Sequence, residues 1–497
     1  MKINIAKNDI FSNYKVKLKD FRFAKQFEKL LNDYDICFKK TEYFENFFMY
    51  NLKNINSKFI SILNDKAANY IMYIEPMSVY SLPIRIDEES GEVPVIYPEK
   101  NKNYVTLGIL DNGLAHINYL HPWIKKVHTR FLRENTSCTH GTFVAGIALY
   151  GDKLENREIV KNEGFYLLDS TVLDSTSIEE DELLKNILLA VQENYKTVKI
   201  WNLSLSVKLE IDENMFSDFG IVLDYIQKKY SVLICKSGGN GGDFMKKRPK
   251  RKLYHGSDSL LSLVVASINN DNYSSQFSRL GLGPQGTIKP DVVSYGGELS
   301  LNEKDGSMNM NGSKSFSIKG NIASSSGTSF ANARIASLAT ILYQNTCTDF
   351  KNFSDFDATF IKALIIHSAK NTDKNLSIEE AGFGLPENSQ EILSYLKNDK
   401  IKIIRGTMTK NYSINLGGEF FEYKKNANIK CTLAYETELD YFQKEKYILS
   451  DIKIKEFSEK GENLIRKFSS TIDRGKNIEL FSTNEIEKKF TIIIEKL

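Results

Sequence analysis

Between residues 100 and 400 the chain alternates two kinds of segment, and that alternation restricts its fold more than any other feature. The segments YVTLGILD, GFYLLDSTVLD, VKIWNLSLS, SVLICKS and SLLSLVVAS are nearly continuous in Val, Leu and Ile. Strands of this kind are buried on both faces, as in a parallel sheet covered by helices. The stretches between them can supply the cover. EEDELLKNILLAVQENY (residues 179 to 195) and SDFGIVLDYIQKKY (217 to 230) carry apolar residues at three- and four-residue spacing. An α/β layered domain is expected over 100 to 400.

At 497 residues and 41% apolar content, the chain is too long for one compact core. Residues 1 to 95 read as a small α+β domain. It has a helical stripe in RFAKQFEKLLNDY, a strand-like aromatic run in EYFENFFMYNL, a helix around SKFISILN and the strand YIMYIEP. The acidic stretch DEESGEVPVIYPE, 87 to 99, reads as an exposed connector. From 401 to 497, short alternating segments such as KIIRG, YSINL, IKCTLAYE and FTIIIEKL point to an antiparallel β-sandwich.

The formal charge of +3 gives no global field to draw in nucleic acid or an anionic membrane. The basic run MKKRPKRK, 245 to 252, stands alone without an aromatic platform, and reads as a solvated loop favouring acidic substrates more than as a nucleic-acid site. Five scattered cysteines with no C-x-x-C pair indicate neither disulfides nor a zinc cluster. A reducing compartment fits them best. Nowhere do 18 apolar residues run together, and the start lacks an apolar signal core, so a soluble, cytoplasmic protein without membrane partners is expected. No cofactor is implied, and no acidic cluster at ligand spacing marks a metal.

Three junctions carry candidate chemistry. Asp111 ends the strand YVTLGIL, where open α/β sheets put their sites. His140 opens HGTFVAGIALYG, an apolar helix whose Gly141 permits close backbone approach. Ser329 sits in SSSGTSFANARIASLATILYQ, in the first turn of a long apolar helix, where free N–H groups stabilise a developing anion. Alone, each has a bland alternative: a strand-ending turn, a satisfied core histidine, an ordinary N-cap. Together, in the order Asp, His, Ser, with small residues around each, they point to nucleophilic hydrolysis. Asn240, in GGNGG after the strand SVLICKS, is well placed to aim an amide into a cleft, although a glycine-rich turn would look the same.

DNG at 111 to 113, HGTFVAG at 140 to 146 and GTSFA at 327 to 331 resemble the three signatures of the subtilisin-like serine proteases, the subtilase family (peptidase S8). HPW at 121 to 123, NLSLS at 202 to 206, KPDVVSYGG at 289 to 297 and AGFGLP at 381 to 386 extend the resemblance over roughly 100 to 400. It implies the subtilisin-like three-layer fold and a serine endopeptidase. Ser329 would attack the scissile carbonyl, His140 would move its proton, and Asp111 would hold the imidazole. Asn240 and the Ser329 N–H would bind the oxyanion. Ser204, Leu205, Ser206, Ser237, Gly238 and Gly239 would line the approach of an extended peptide substrate.

Ser206 stands where the family usually has Gly, and Asn112 where it has Ser or Thr. The resemblance also allows structural calcium, which the sequence does not reveal. It likens the N-terminal region to an inhibitory propeptide that restrains the enzyme, and leaves room for a regulatory partner such as an ATPase. The alternative function is a catalytically silent binding or scaffold protein on the same fold. An esterase is disfavoured, because Ser329 is not in a G-x-S-x-G elbow.

Overall fold

A computed structural model of the chain describes residues 2–3, 12–80, 84–161, 163–174, 177–205, 209–302, 305–349, 355–415, 426–454, 463–473, 476–482 and 484–497. The apolar segments become strands of one sheet: β1 Thr106–Asp111, β2 Ile124–Thr129, β3 Tyr166–Thr171, β4 Val198–Leu203, β5 Leu233–Ser237, β6 Leu263–Ile268 and β7 Val292–Tyr295. They lie in the order β7-β6-β5-β4-β1-β3-β2, every neighbouring pair parallel. The two edge strands are the ones without a long apolar run, since an edge needs less two-sided burial.

Helices cover both faces. On one lie α1 Thr139–Glu155 and α4 Thr328–Asp349, and on the other α2 Glu180–Asn194 and α3 Asp218–Tyr230. The two-residue pleat sorts the strand side chains between these layers. Ile109, Ile200 and Leu233 pack in the cluster of α1 and α4, whereas Leu110, Trp201 and Ile234 pack in that of α2 and α3. Helix α3 is capped by Ser217, whose Oγ accepts from Gly220 N at 3.0 Å. This is the subtilase-like three-layer arrangement expected from the sequence.

The N-terminal region forms a five-stranded sheet with helices Ala24–Asp33 and Ser57–Ala67. Two sequence expectations change here. The aromatic run EYFENFFMYNL is not one strand but the turn of a hairpin between Phe38–Phe44 and Phe47–Ile55. Asn46, at φ 62°, makes the turn, a conformation asparagine tolerates. SNYKVKL, read as no element, is a central strand of this sheet, Ser12–Leu18.

The sheet seats on the acidic start of α2. Lys15 Nζ donates to Glu180 Oε1 at 3.0 Å, Asn13 Nδ2 to Glu179 at 2.6 Å, and Thr41 Oγ1 to Asp181 at 2.9 Å. Carboxylates favour a helix N-terminus, and here they are also paired. Phe44 stacks on Tyr225 of α3 with centroids 4.0 Å apart.

The C-terminal region contains a four-stranded and a three-stranded antiparallel sheet, and Ile429, Leu433 and Ile492 of the first share a buried cluster with Ile452 and Leu480 of the second. A segment of this region reaches back to the N-terminal sheet. Tyr441 meets Phe44 edge-on at 5.3 Å and Phe442 lies 6.0 Å from Phe47. Lys444 Nζ sits 3.0 Å from Asp218 and 4.4 Å above the Tyr73 ring.

The stretch 87 to 99, read as an exposed connector, is exposed or half-buried along its length and is also pinned in several places. Asp87–Glu88 pairs antiparallel with Ala323 and Ser324, Ile96 N donates to Tyr150 OH at 2.8 Å, and Trp123 Nε1 donates to Ile96 O at 2.9 Å. Its backbone groups, lacking a helix or sheet of their own, find partners on the larger layer. Among the described residues, no helix is long and apolar enough to cross a membrane.

Candidate active site

Strand β1 delivers Asp111, fully buried, at its carboxyl end. Both of its carboxylate oxygens lie 2.9 Å from His140 Nδ1, in the first turn of α1. A carboxylate facing Nδ1 selects the neutral tautomer protonated there, so the other ring nitrogen is an acceptor. Asn112 fastens the two elements: its Oδ1 accepts from Gly141 N at 3.0 Å and its Nδ2 donates to Ser137 Oγ at 2.7 Å. The departure at Asn112 is therefore a working contact.

Ser329 lies in the first turn of α4 and is 7% exposed. Its Oγ donates to Ser204 O at 3.1 Å, and Ser204 Oγ donates to Ser329 O, also at 3.1 Å. The hydroxyl thus rests on the end of β4; its hydrogen bond goes to Ser204 and not to His140. The next residue, Phe330, brings its ring centroid to 6.3 Å from that of His140 and 4.7 Å from that of Phe143, which locks α1 against α4.

Asn240 is held by its oxygen. Thr328 N and Thr328 Oγ1 donate to Oδ1 at 2.9 and 2.8 Å, leaving Nδ2 to donate elsewhere. A Cβ on Gly327 would stand 3.1 Å from that Nδ2, so the amide abuts the turn entering α4. Gly239, at φ 102°, lies so close to the Tyr254 ring that a Cβ would come within 2.6 Å of it. Only glycine meets both conditions.

Of the residues expected along a substrate, Ser204, Ser237, Gly238 and Gly239 are buried, with Ser204 Oγ donating to Ser329 O and Gly239 N to Thr328 Oγ1 at 3.1 Å, and Ser206 lies outside the described residues. Leu205 turns its side chain into the core of α2 and α3, so only its backbone is available to a cleft. Sequence reasoning missed Thr328, Asn332 and Asn202. Asn332 Nδ2 donates to Asn202 Oδ1 at 2.9 Å and to Cys235 O at 3.0 Å, tying α4 to β4 and β5. A polar residue three positions after Ser329, within an apolar helix, was the available signal. The basic run is partly neutralised at its end: Lys252 pairs with Glu213, Arg251 lies 3.4 Å from Asp243, and Lys250 donates to Ser274 Oγ at 2.5 Å. Among the described residues, no group of three or more His, Cys, Asp or Glu could hold a metal ion.

The model of the subtilase family of peptidases matches residues 102–384, more than half of the chain. The chain belongs to the subtilase family. Among solved structures, this subtilase is similar to a mutant of the epidermin leader peptide processing serine protease from Staphylococcus aureus, at 16% identity over 78% of this chain and 100% of that one, with a TM-score of 0.52. It is also similar to fervidolysin from Fervidobacterium pennivorans, a keratinolytic enzyme related to subtilisin, at 12% identity over 98% of this chain and 71% of that one, with a TM-score of 0.51. At such identities these likenesses show the fold. No protein of curated function matches the chain significantly. As a subtilase, the chain is a serine protease.

Proposed function

We propose that this subtilase is an endopeptidase working through Asp111, His140 and Ser329. The observation that carries the reading is the buried Asp111–His140 pair at 2.9 Å, set beside a helix-borne serine and an amide already oriented by Thr328. A turn about χ1 takes the Ser329 hydroxyl off the Ser204 carbonyl, and His140 then removes its proton as Oγ attacks the scissile carbonyl. Asp111 keeps the imidazole in its tautomer and stabilises the imidazolium. The Ser329 N–H and Asn240 Nδ2 bind the oxyanion. His140 returns the proton to the leaving amine, and water repeats the sequence to free the acid. The substrate is a protein or peptide that enters as an extended strand.

The same chain restrains it. Val79 and Tyr80 pair antiparallel with Ile178 and Glu179, with Tyr80 buried against Phe219 at 5.7 Å. Asp87 and Glu88 pair with Ala323 and Ser324, and Ser325 Oγ donates to Arg85 O at 2.7 Å, four positions before Ser329. From Tyr80 to Asp87 the chain can span at most about 25 Å, so its two anchors lie within that distance of each other. These are strand edges that an incoming peptide would use.

A fluorophosphonate probe tests both statements on the full chain, before and after the exposed stretch near Gly91 is cut by a protease site inserted there. Labelling of Ser329 is expected to be slow before the cut and faster after it, and absent in Ser329→Ala. No labelling in either form would sink the endopeptidase reading.

A further inference from the structure

The geometry points to Arg279 as a positioning residue that sets Asn240 in place. The inference rests on Asn240 being the oxyanion donor proposed above. An oxyanion donor acts through preorganisation, and its atom must be held within about 0.5 Å of the productive position. Asn240 starts badly for this task. It is exposed, and its neighbours on both sides are glycines, Gly238, Gly239, Gly241 and Gly242, with no side chains to pack and much backbone freedom to lose.

What stiffens the loop comes from outside it. Gly241 N donates to Phe277 O at 2.7 Å, and Asn240 forms a bridge with Ser278, so the stretch just before Arg279 is joined to the loop by backbone. The Arg279 side chain, 3% exposed, then closes over it. Its guanidinium lies 4.0 Å from the centroid of Tyr254, the ring that fills the space beside Gly239, and Nη1 donates to Tyr254 OH at 3.1 Å. On the other side, a Cβ on Gly241 would be 2.9 Å from Nη1. Arg279 therefore walls Gly241 directly and backs the Tyr254 ring that walls Gly239.

The guanidinium is itself fixed. Nη2 donates to Glu210 Oε1 at 2.8 Å, Nε donates to Lys252 O, and Asp243 lies 3.6 Å from Nη1. Glu210 pairs by backbone with Tyr254, so one planar fork joins the segment at Glu210, the ring under Gly239 and the loop after Asn240. Lysine can supply the charge but not the stacked plane or the fork.

The test is a double-substitution cycle on the full chain, read as the saturated rate and half-saturating concentration for Ser329 phosphonylation by an alkyl fluorophosphonate. Any preparation whose parent chain labels serves. Arg279→Met is expected to lower the saturated rate about 10-fold and move the half-saturating concentration less than about twofold, while Asn240→Ala lowers the rate about 100-fold. In the Asn240→Ala background, Arg279→Met is expected to cost less than about twofold, because the group it positions is gone. Arg279→Lys should fall between parent and Arg279→Met.

An undiminished 10-fold loss in the Asn240→Ala background, or a loss carried by the half-saturating concentration, overturns the inference and leaves the oxyanion donor standing. Parent-like labelling by Asn240→Ala alone would overturn the donor itself. Should Arg279→Met not fold, Glu210→Ala, at a side chain 39% exposed, removes one anchor and is read in the same two backgrounds. A rate loss in only the Asn240 background with the amide intact supports the assignment; equal losses in both, or none in either, refute it.

Discussion

Ser329 and Ser204 exchange hydroxyls and carbonyls across the gap between α4 and β4, and this fixes what each substitution there should do. Ser329→Ala is expected to abolish peptide cleavage, with a loss on the order of 10⁶-fold in kcat, the scale known for losing the nucleophile from subtilisin, a relative of this chain. Asn240→Ala should cost about 10² to 10³-fold in kcat, the range for one oxyanion donor in the same enzyme, with KM little changed. Parent-like turnover by either variant would remove that residue from the mechanism.

Lys236, fully buried on β5, makes a different prediction. Burial pushes its ammonium down to about 7, against the pull of Asp258. Between about 7 and the ordinary lysine range the folded chain has released this proton while the unfolded chain still binds it, so stability rises with pH there, and the destabilisation by the buried lysine is fully present only below about 7. Lys236→Met should therefore raise the melting temperature more at pH 6 than at pH 9, and an equal gain at both would contradict the burial effect. The residues legible in sequence, Asp111, His140, Asn240 and Ser329, each sat in a short run of small neighbours. Thr328, Asn332 and Arg279 were not legible, because their roles arise from contacts with Asn240, Asn202 and Tyr254 in distant segments.

At the scale of elements, double-sided burial made strands β1, β3, β4, β5 and β6 readable as apolar runs, and helical spacing did the same for α2 and α3. The edge strand β2, with its exposed lysines, carried no such run. The hairpin around Asn46 was hidden because its aromatics continue unbroken through the turn. Two element-level contacts bear on the proposed restraint: the seat of the N-terminal sheet on α2, and the segment carrying Tyr441, Phe442 and Lys444, which touches both the sheet and α3. After a cut near Gly91, the N-terminal fragment is expected to co-elute with the remainder on size exclusion. Lys444→Ala combined with Phe442→Ala should release it in part, since the Tyr73 ring loses the cation above it and the Phe47 ring its neighbour. Retention unchanged in that double variant would show that α2 alone holds the sheet.

For the molecule as a whole, the sequence suggested three regions, but not how the first and last meet, because neither region's own pattern records a contact with the other. The proposed restraint, anchored by the pairing of Val79–Tyr80 with Ile178–Glu179 and of Asp87–Glu88 with Ala323–Ser324, would have a thermodynamic consequence. A blocking segment joined covalently at both ends would act at an effective concentration on the order of millimolar, whatever the protein concentration. Specific activity of the uncut chain should accordingly stay constant over a hundredfold dilution, where a bimolecular inhibitor would have dissociated. Turning the enzyme on is then a matter of severing or dragging away a tether, and no amount of added solvent can substitute for that event.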